Sequence, residues 1–116
     1  MRVLKDPDQV LQVMDARLDE LRKSRKRFTE ADGKEATEIS GQETAIIRIA
    51  AYIRHVSKYH GYFGVEDMVG VHKYADDAKE EANKPFLNPR VTWFVKGLAK
   101  GAAWACGDLE VRMDEP

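Results

Sequence analysis

The chain has 116 residues, 43% of them hydrophobic and 34% charged, which is enough to bury a modest core in one domain, 1–116. The 19 basic and 20 acidic side chains leave a formal net charge of −1, which excludes a strongly basic nucleic-acid binder and an acidic nucleic-acid mimic. There is no signal-peptide pattern and no apolar run of the roughly 18 residues that a membrane span needs. We therefore expect a cytoplasmic domain with no membrane partner.

The first predicted helix begins at Asp6 and Pro7. An aspartate can cap the helix, proline suits the first helical position, and Gln9 follows the cap by three residues. Apolar residues then recur at steps of three and four, as they do on one side of a helix; they are Leu11, Met14, Leu18 and Leu21. We expect this helix to end near Asp32 and Gly33, and residues 1–5 before it to be frayed.

A basic run, 22–27, closes this predicted helix. It has two interpretations: a solvated helix end, where cations favour the negative end of the helix dipole, or a phosphate-binding surface. Arg25 is a special case because it falls on the same side as Leu18 and Leu21. A charge on that side is costly without a partner, so we expect Arg25 to meet a carboxylate, a phosphate or another subunit.

The second predicted helix contains Ser40, Gly41, Gln42 and Glu43, which read as a capping box, although a start some residues earlier stays open, and it ends at Gly61. Its isoleucines predict a broad apolar side. Its polar side combines guanidinium, imidazole and phenol groups, which suit either a solvated face or a site for a nucleotide or nucleic acid. With Arg25 added, the phosphate- or nucleotide-binding candidates are Arg25, Arg48, Arg54, His55, Lys58 and Tyr59.

Two further helices complete the pattern. The third runs from about Val65 to Asn83, and the fourth opens at Asn88 and Pro89 and continues to Cys106, with residues 112–116 expected to fray. No convincing strand pattern is present. Short connections favour antiparallel neighbours, so the predicted fold is all-α, a small antiparallel bundle of about four helices.

The fourth helix combines two interior glycines with two tryptophans that lean to one side. Gly97 and Gly101 lie four residues apart, and Trp93 and Trp104, eleven residues apart, lean to one side. Each interior glycine costs a helix about 0.5–1 kcal/mol relative to alanine, so we expect another backbone or a ring to press against this side. The predicted partner or self-association surface consists of Trp93, Gly97, Lys100, Gly101 and Trp104.

No constellation of catalytic residues is apparent. There is no glycine-rich phosphate loop or nucleophile elbow, so we expect neither an enzyme nor a cofactor. His72 and Asp76 are correctly spaced to meet on a helix, but two groups fall short of a zinc site, and no metal is expected. Cys106, the single cysteine, is expected to be a small buried hydrophobic residue in a reducing compartment.

These patterns favour a small cytoplasmic helical interaction protein, an adaptor or inhibitor of the size class carried by phages and mobile elements. It would bind a protein partner and form a homo-oligomer, most simply a homodimer. The alternative is a binding module for a nucleotide or nucleic acid that uses the polar side of the second helix. The two differ in salt dependence, because phosphate binding weakens steeply as ionic strength rises.

Overall fold

A computed structural model describes residues 2–28 and 33–113, and that part of the chain forms an antiparallel bundle of four α-helices. The helices are α1 (Pro7–Arg25), α2 (Lys34–His60), α3 (Met68–Ala82) and α4 (Pro89–Met113). Helix α4 packs most extensively against α2 and next against α3, while α1 packs on α2. The described ranges contain no strand, only an isolated bridge between Val3 and Gly64. The all-α prediction is confirmed.

Helix α1 begins as its sequence predicts. The backbone N–H of Gln9 donates to Asp6 Oδ1 at 3.1 Å, and Pro7 occupies the first turn. The predicted end near Asp32 and Gly33 is wrong, because the helix stops at Arg25. Asp32 lies outside the described residues, and Gly33 is the N-cap of α2.

Helix α2 is longer than the capping box predicted. It starts at Lys34, so Ser40 lies well inside the helix and its carbonyl accepts a hydrogen bond from Thr44 Oγ1 at 2.8 Å. Glu43 does not fold back on a helix start but is buried against a neighbouring helix. Gly61 ends α2 with φ of 80°, the left-handed conformation that glycine adopts without steric cost, as predicted.

The segment before α1, residues 2–5, packs on the bundle, although residues 1–5 were expected to fray; residue 1 lies outside the described part. Leu4 is buried, and its N–H donates to the Phe63 carbonyl at 2.7 Å. The Val65 N–H donates to the Arg2 carbonyl at 3.1 Å, so the segment is tied to the link between α2 and α3. The opposite end is also ordered further than expected, because α4 continues to a buried Met113; residues 114–116 lie outside the described part.

One apolar cluster joins all four helices. Its largest fully buried side chains come from all four helices and the link after α2, and they are Phe63, Met14, Ile46, Ile53, Leu109, Val10 and Val71. Helix α4 contributes mainly small residues to it, Ala102, Ala105 and Cys106, beside Leu109 and Met113. Small side chains allow α4 to approach its neighbours closely. No helix in the described ranges is long and apolar enough to span a bilayer.

The α2–α4 contact is a backbone contact made by glycines. A Cβ on Gly41 would lie 2.9 Å from the Gly97 Cα, and a Cβ on Gly101 would lie 2.8 Å from the Gln42 Cα. A Cβ on Gly97 would overlap the carbonyl oxygen of Glu38. Carbon atoms in contact normally lie about 3.5–4.0 Å apart, so these positions leave no room for a side chain.

We expect Gly97→Ala to destabilise the fold. The added methyl group meets backbone atoms that cannot rotate away, and overpacking of this kind costs about 1–3 kcal/mol. Gly107→Ala on the same helix is the matched control, because nothing lies within 4 Å of that position. There the gain in helix propensity raises stability by about 0.5–1 kcal/mol. Urea unfolding of both variants tests this, and equal effects would contradict the close contact.

Candidate functional site

The predicted partner surface on α4 is largely used within the chain. Gly97 and Gly101 are buried against α2, so the backbone that presses on them belongs to the same molecule. This corrects the expectation that these two glycines are open to a partner. Lys100 forms an ion pair with Glu38 of α2. Self-association itself stays a prediction.

The two tryptophans of that surface differ in their surroundings. Trp104 packs against the apolar cluster, and the Arg17 guanidinium of α1 lies 5.5 Å from its ring centroid, within cation–π range. Trp93 is partly buried near the start of α4. Trp104 therefore helps to hold α1 and α4 together, and this role accounts for it without a second molecule.

Arg25 meets a carboxylate, as its position on the apolar side of α1 predicts. Its Nε donates to Glu43 Oε2 at 2.8 Å and its Nη2 to Oε1 at 3.4 Å. Arg22 approaches the same carboxylate, with 3.7 Å between Nε and Oε1. Glu43 is 7% exposed, so the two cations compensate a charge that is otherwise shielded from water. Arg25 is thereby committed to a structural pair rather than held free for a phosphate.

The other phosphate-binding candidates spread along the polar side of α2. Arg48 Nη1 donates to the Tyr74 hydroxyl at 3.4 Å, while Arg54 lies 3.7 Å from an Asp15 carboxylate oxygen on α1. His55 and Tyr59 stack, with centroids 6.2 Å apart and planes 13° apart. Lys58 is exposed. The structure groups His55, Lys58 and Tyr59 at one end of α2 and directs the two arginines to neighbouring helices.

A groove runs between α3 and α4 on the outside of the bundle. We call it the α3–α4 groove; its volume is about 500 Å³, and it is lined by Ala75, Asp76, Lys79, Ala99, Lys100, Ala103, Cys106, Gly107 and Glu110. Ala99, Ala103 and Gly107 follow one another four residues apart on α4. Ala103 and Gly107 are exposed. Ala99 packs partly against the apolar cluster, whereas Ala103 and Gly107, unlike Gly97 and Gly101, are not covered by a helix of the same chain.

Three side chains with metal-ligating atoms meet beside this groove. Cys106 Sγ lies 3.4 Å from His72 Nδ1 and 3.8 Å from Glu110 Oε1, and His72 Nε2 lies 3.1 Å from the same oxygen. We call these residues the His–Cys–Glu cluster; their candidate ligand atoms all lie within 4.8 Å of one another. The sequence offered only Asp76 as a second group beside His72, whereas the structure brings Cys106 and Glu110 to it.

The thiol in this cluster is not poised as a nucleophile. Burial, together with the Glu110 carboxylate, raises the pKa of Cys106 to about 11. The group is then a neutral thiol near pH 7 unless a cation replaces its proton, and the reactive form of cysteine is the thiolate. The expectation that Cys106 is buried is confirmed, since it is 8% exposed.

A sequence signal for the cluster existed on each helix separately. His72 and Asp76 lie four apart on α3, and Cys106 and Glu110 lie four apart on α4, so each pair shares one side of its helix. Only the register between α3 and α4 brings the second pair to His72. The repeat of Ala99, Ala103 and Gly107 was likewise visible in the sequence, but only the fold identifies which row of small residues is covered.

Comparison of the chain with protein-family models, curated proteins and solved structures gives no match.

We expect Arg25→Met to destabilise the protein, because it leaves the buried Glu43 carboxylate with only the longer Arg22 contact. The loss of a charged partner of a buried group costs about 1–3 kcal/mol. Adding Glu43→Leu removes the uncompensated charge and should restore most of the loss. The exposed neighbour Arg27 provides the control: Arg27→Met should change stability by no more than about 0.5 kcal/mol in urea unfolding. Equal losses of stability in Arg25→Met and Arg27→Met would contradict the importance of the Arg25–Glu43 pair.

Proposed function

We propose that this chain is a small helical interaction protein that self-associates through the α3–α4 groove, with a second copy of the chain as the occupant. It would act as an adaptor or inhibitor, by covering a surface of another protein. Its single cysteine is free, which suits a reducing, cytoplasmic setting. The observation that carries the proposal is the pair of exposed small residues, Ala103 and Gly107, in the α3–α4 groove.

Exposed small residues allow the backbone of a second helix to approach the backbone of α4 closely, because no large side chain lies between them. Gly107 has nothing within 4 Å of where its Cβ would lie, and Ala103 beside it is exposed. The chain already uses this type of packing internally, where Gly41 of α2 meets Gly97 of α4. A helix laid into the groove would bury the apolar Ala75, Ala99 and Ala103 surface, which supplies the driving force for association.

The charges along the groove support a copy of the same chain as the occupant. Because α3 and α4 are antiparallel, Lys79 and Lys100 lie toward one end of the groove and Glu110 toward the other, with Asp76 between. Lys100 also forms an ion pair with Glu38 of its own chain, which a second copy would have to share. In a two-fold dimer, the groove of one copy lies against the groove of the other, and the two grooves run in opposite directions. The cations of one copy then face the carboxylates of the other, which favours this register over a parallel one.

We expect light scattering to give about twice the chain mass for the native protein at high concentration, and a monomer for Ala103→Arg, since the long side chain blocks the groove. Ala51→Arg is the matched control, because Ala51 is an exposed alanine on α2 away from the groove. Circular dichroism should show an unchanged fold in both variants. A native protein that stays monomeric, or a dimer that survives Ala103→Arg, would contradict the proposal.

A second candidate function is the binding of a nucleotide or nucleic acid at the end of α2. The observation in its favour is Tyr59, which is 79% exposed and stacked on His55, with Lys58 adjacent in sequence. An aromatic ring presented to solvent in this way can stack on a base, and such stacking contributes about 1–3 kcal/mol per base. Arg54 and Arg48 would have to leave their present partners to contact phosphates.

Tyr59→Ala with Lys58→Glu tests this second candidate. Retention of a fluorescent single-stranded oligonucleotide should be lost in the double variant and should weaken steeply with added salt in the native protein. Arg27→Glu, a charge reversal elsewhere on the surface, serves as the control. No retention by the native protein at low salt would remove this candidate.

A further inference from the structure

We propose that His72, Cys106 and Glu110 bind a divalent cation of the zinc class between α3 and α4. The site goes beyond the proposed self-association, because all three ligands come from one chain. It joins a thiolate, an imidazole nitrogen and a carboxylate oxygen, which are the three protein ligand types that zinc accepts.

The spacing of the ligand atoms suits such an ion. Tetrahedral zinc with bonds of about 2.0–2.3 Å places neighbouring ligand atoms roughly 3.3–3.6 Å apart. In the cluster, Cys106 Sγ lies 3.4 Å from His72 Nδ1 and 3.8 Å from Glu110 Oε1. The two short contacts of the imidazole use different nitrogens, Nδ1 toward the thiol and Nε2 at 3.1 Å from the carboxylate, so the ring has to turn until one nitrogen faces both of the other ligands.

The positions of the ligands on the helices also suit a metal site. Cys106 and Glu110 lie one turn apart on the same side of α4, and His72 faces them from the second turn of α3. These rigid elements hold the donor atoms together without a loop that must order first. Cys106 is buried, whereas the side chains of His72 and Glu110 are 47% and 52% exposed, which gives an ion an entry path from solvent.

The donor set selects the class of ion. A sulfur and a nitrogen ligand favour Zn²⁺ or Co²⁺ over Mg²⁺ and Ca²⁺, which take oxygen ligands. On binding, the Sγ–H bond breaks, the proton leaves to solvent, and the sulfur electron pair forms the bond to the ion. Three protein ligands leave the fourth position of a tetrahedral ion to water, as in zinc sites that are open to a further ligand.

Cobalt(II) titration followed by absorbance tests the site, since a cobalt–thiolate bond gives a charge-transfer band and tetrahedral cobalt gives intense visible bands. The native protein, freed of metal with a chelator, should show both, and added Zn²⁺ should abolish them. Cys106→Ala should lose the charge-transfer band. His72→Gln and Glu110→Gln, both at half-exposed positions that do not threaten the fold, should weaken cobalt binding by at least about tenfold.

His55→Gln and Glu80→Gln are the matched controls, because both residues are exposed and lie outside the cluster. Their cobalt spectra and affinities should equal those of the native protein. The monomeric Ala103→Arg variant should also keep the cobalt spectrum, which separates failure of the metal site from failure of self-association. Absence of the charge-transfer band in the native protein, or equal weakening by the control substitutions, would overturn the proposal.

Discussion

The backbone contact between α2 and α4 is the constraint on which the rest of the structure depends. Gly41 and Gly97 meet without side chains between them, and a Cβ at either position would collide with the other helix. This contact fixes the rotation of α4 about its own axis. Trp104 then falls beside Arg17 of α1, and Cys106 falls on the side that faces α3. The side of α4 that is turned away from α2, with Ala103, is left to solvent.

Ion pairs that join helices reinforce this arrangement and specify its register. Glu38 and Glu43 project from α2 in different directions, the first to Lys100 of α4 and the second to Arg25 of α1. Apolar packing between amphipathic helices is tolerant of small shifts, whereas the bidentate contact to Glu43 requires Arg25 at one position. The buried carboxylate therefore contributes more to the register of α1 than to the net stability of the fold.

Local rules predicted the ends of helices where the cause is local. Asp6 caps α1, Gly61 ends α2 and Pro89 opens α4 because each acts on its own backbone within a few residues. The capping box at Ser40 is also a local pattern, but it does not mark the start of a helix. Glu43 binds Arg25, 18 residues earlier in the chain, and this contact is not encoded locally. The glycines of α4 correctly indicated a close backbone contact. They could not indicate whether that backbone belongs to the same chain.

Local patterns are equally unable to predict a candidate site that depends on a contact between helices. His72 and Cys106 are 34 residues apart, so their contact depends on the register between α3 and α4, which no local pattern encodes. Arg25, by contrast, carried its own signal, because a guanidinium on an apolar side must find a compensating group nearby. Small residues are an intermediate case, because the sequence shows their spacing but not which of them another helix covers. Gly97 with Gly101 and Ala103 with Gly107 are each spaced four apart on α4, yet the first pair is filled by α2 and the second lies open. Composition marks both as surfaces for close approach, and the rotation of the helix decides which of them remains for a second molecule.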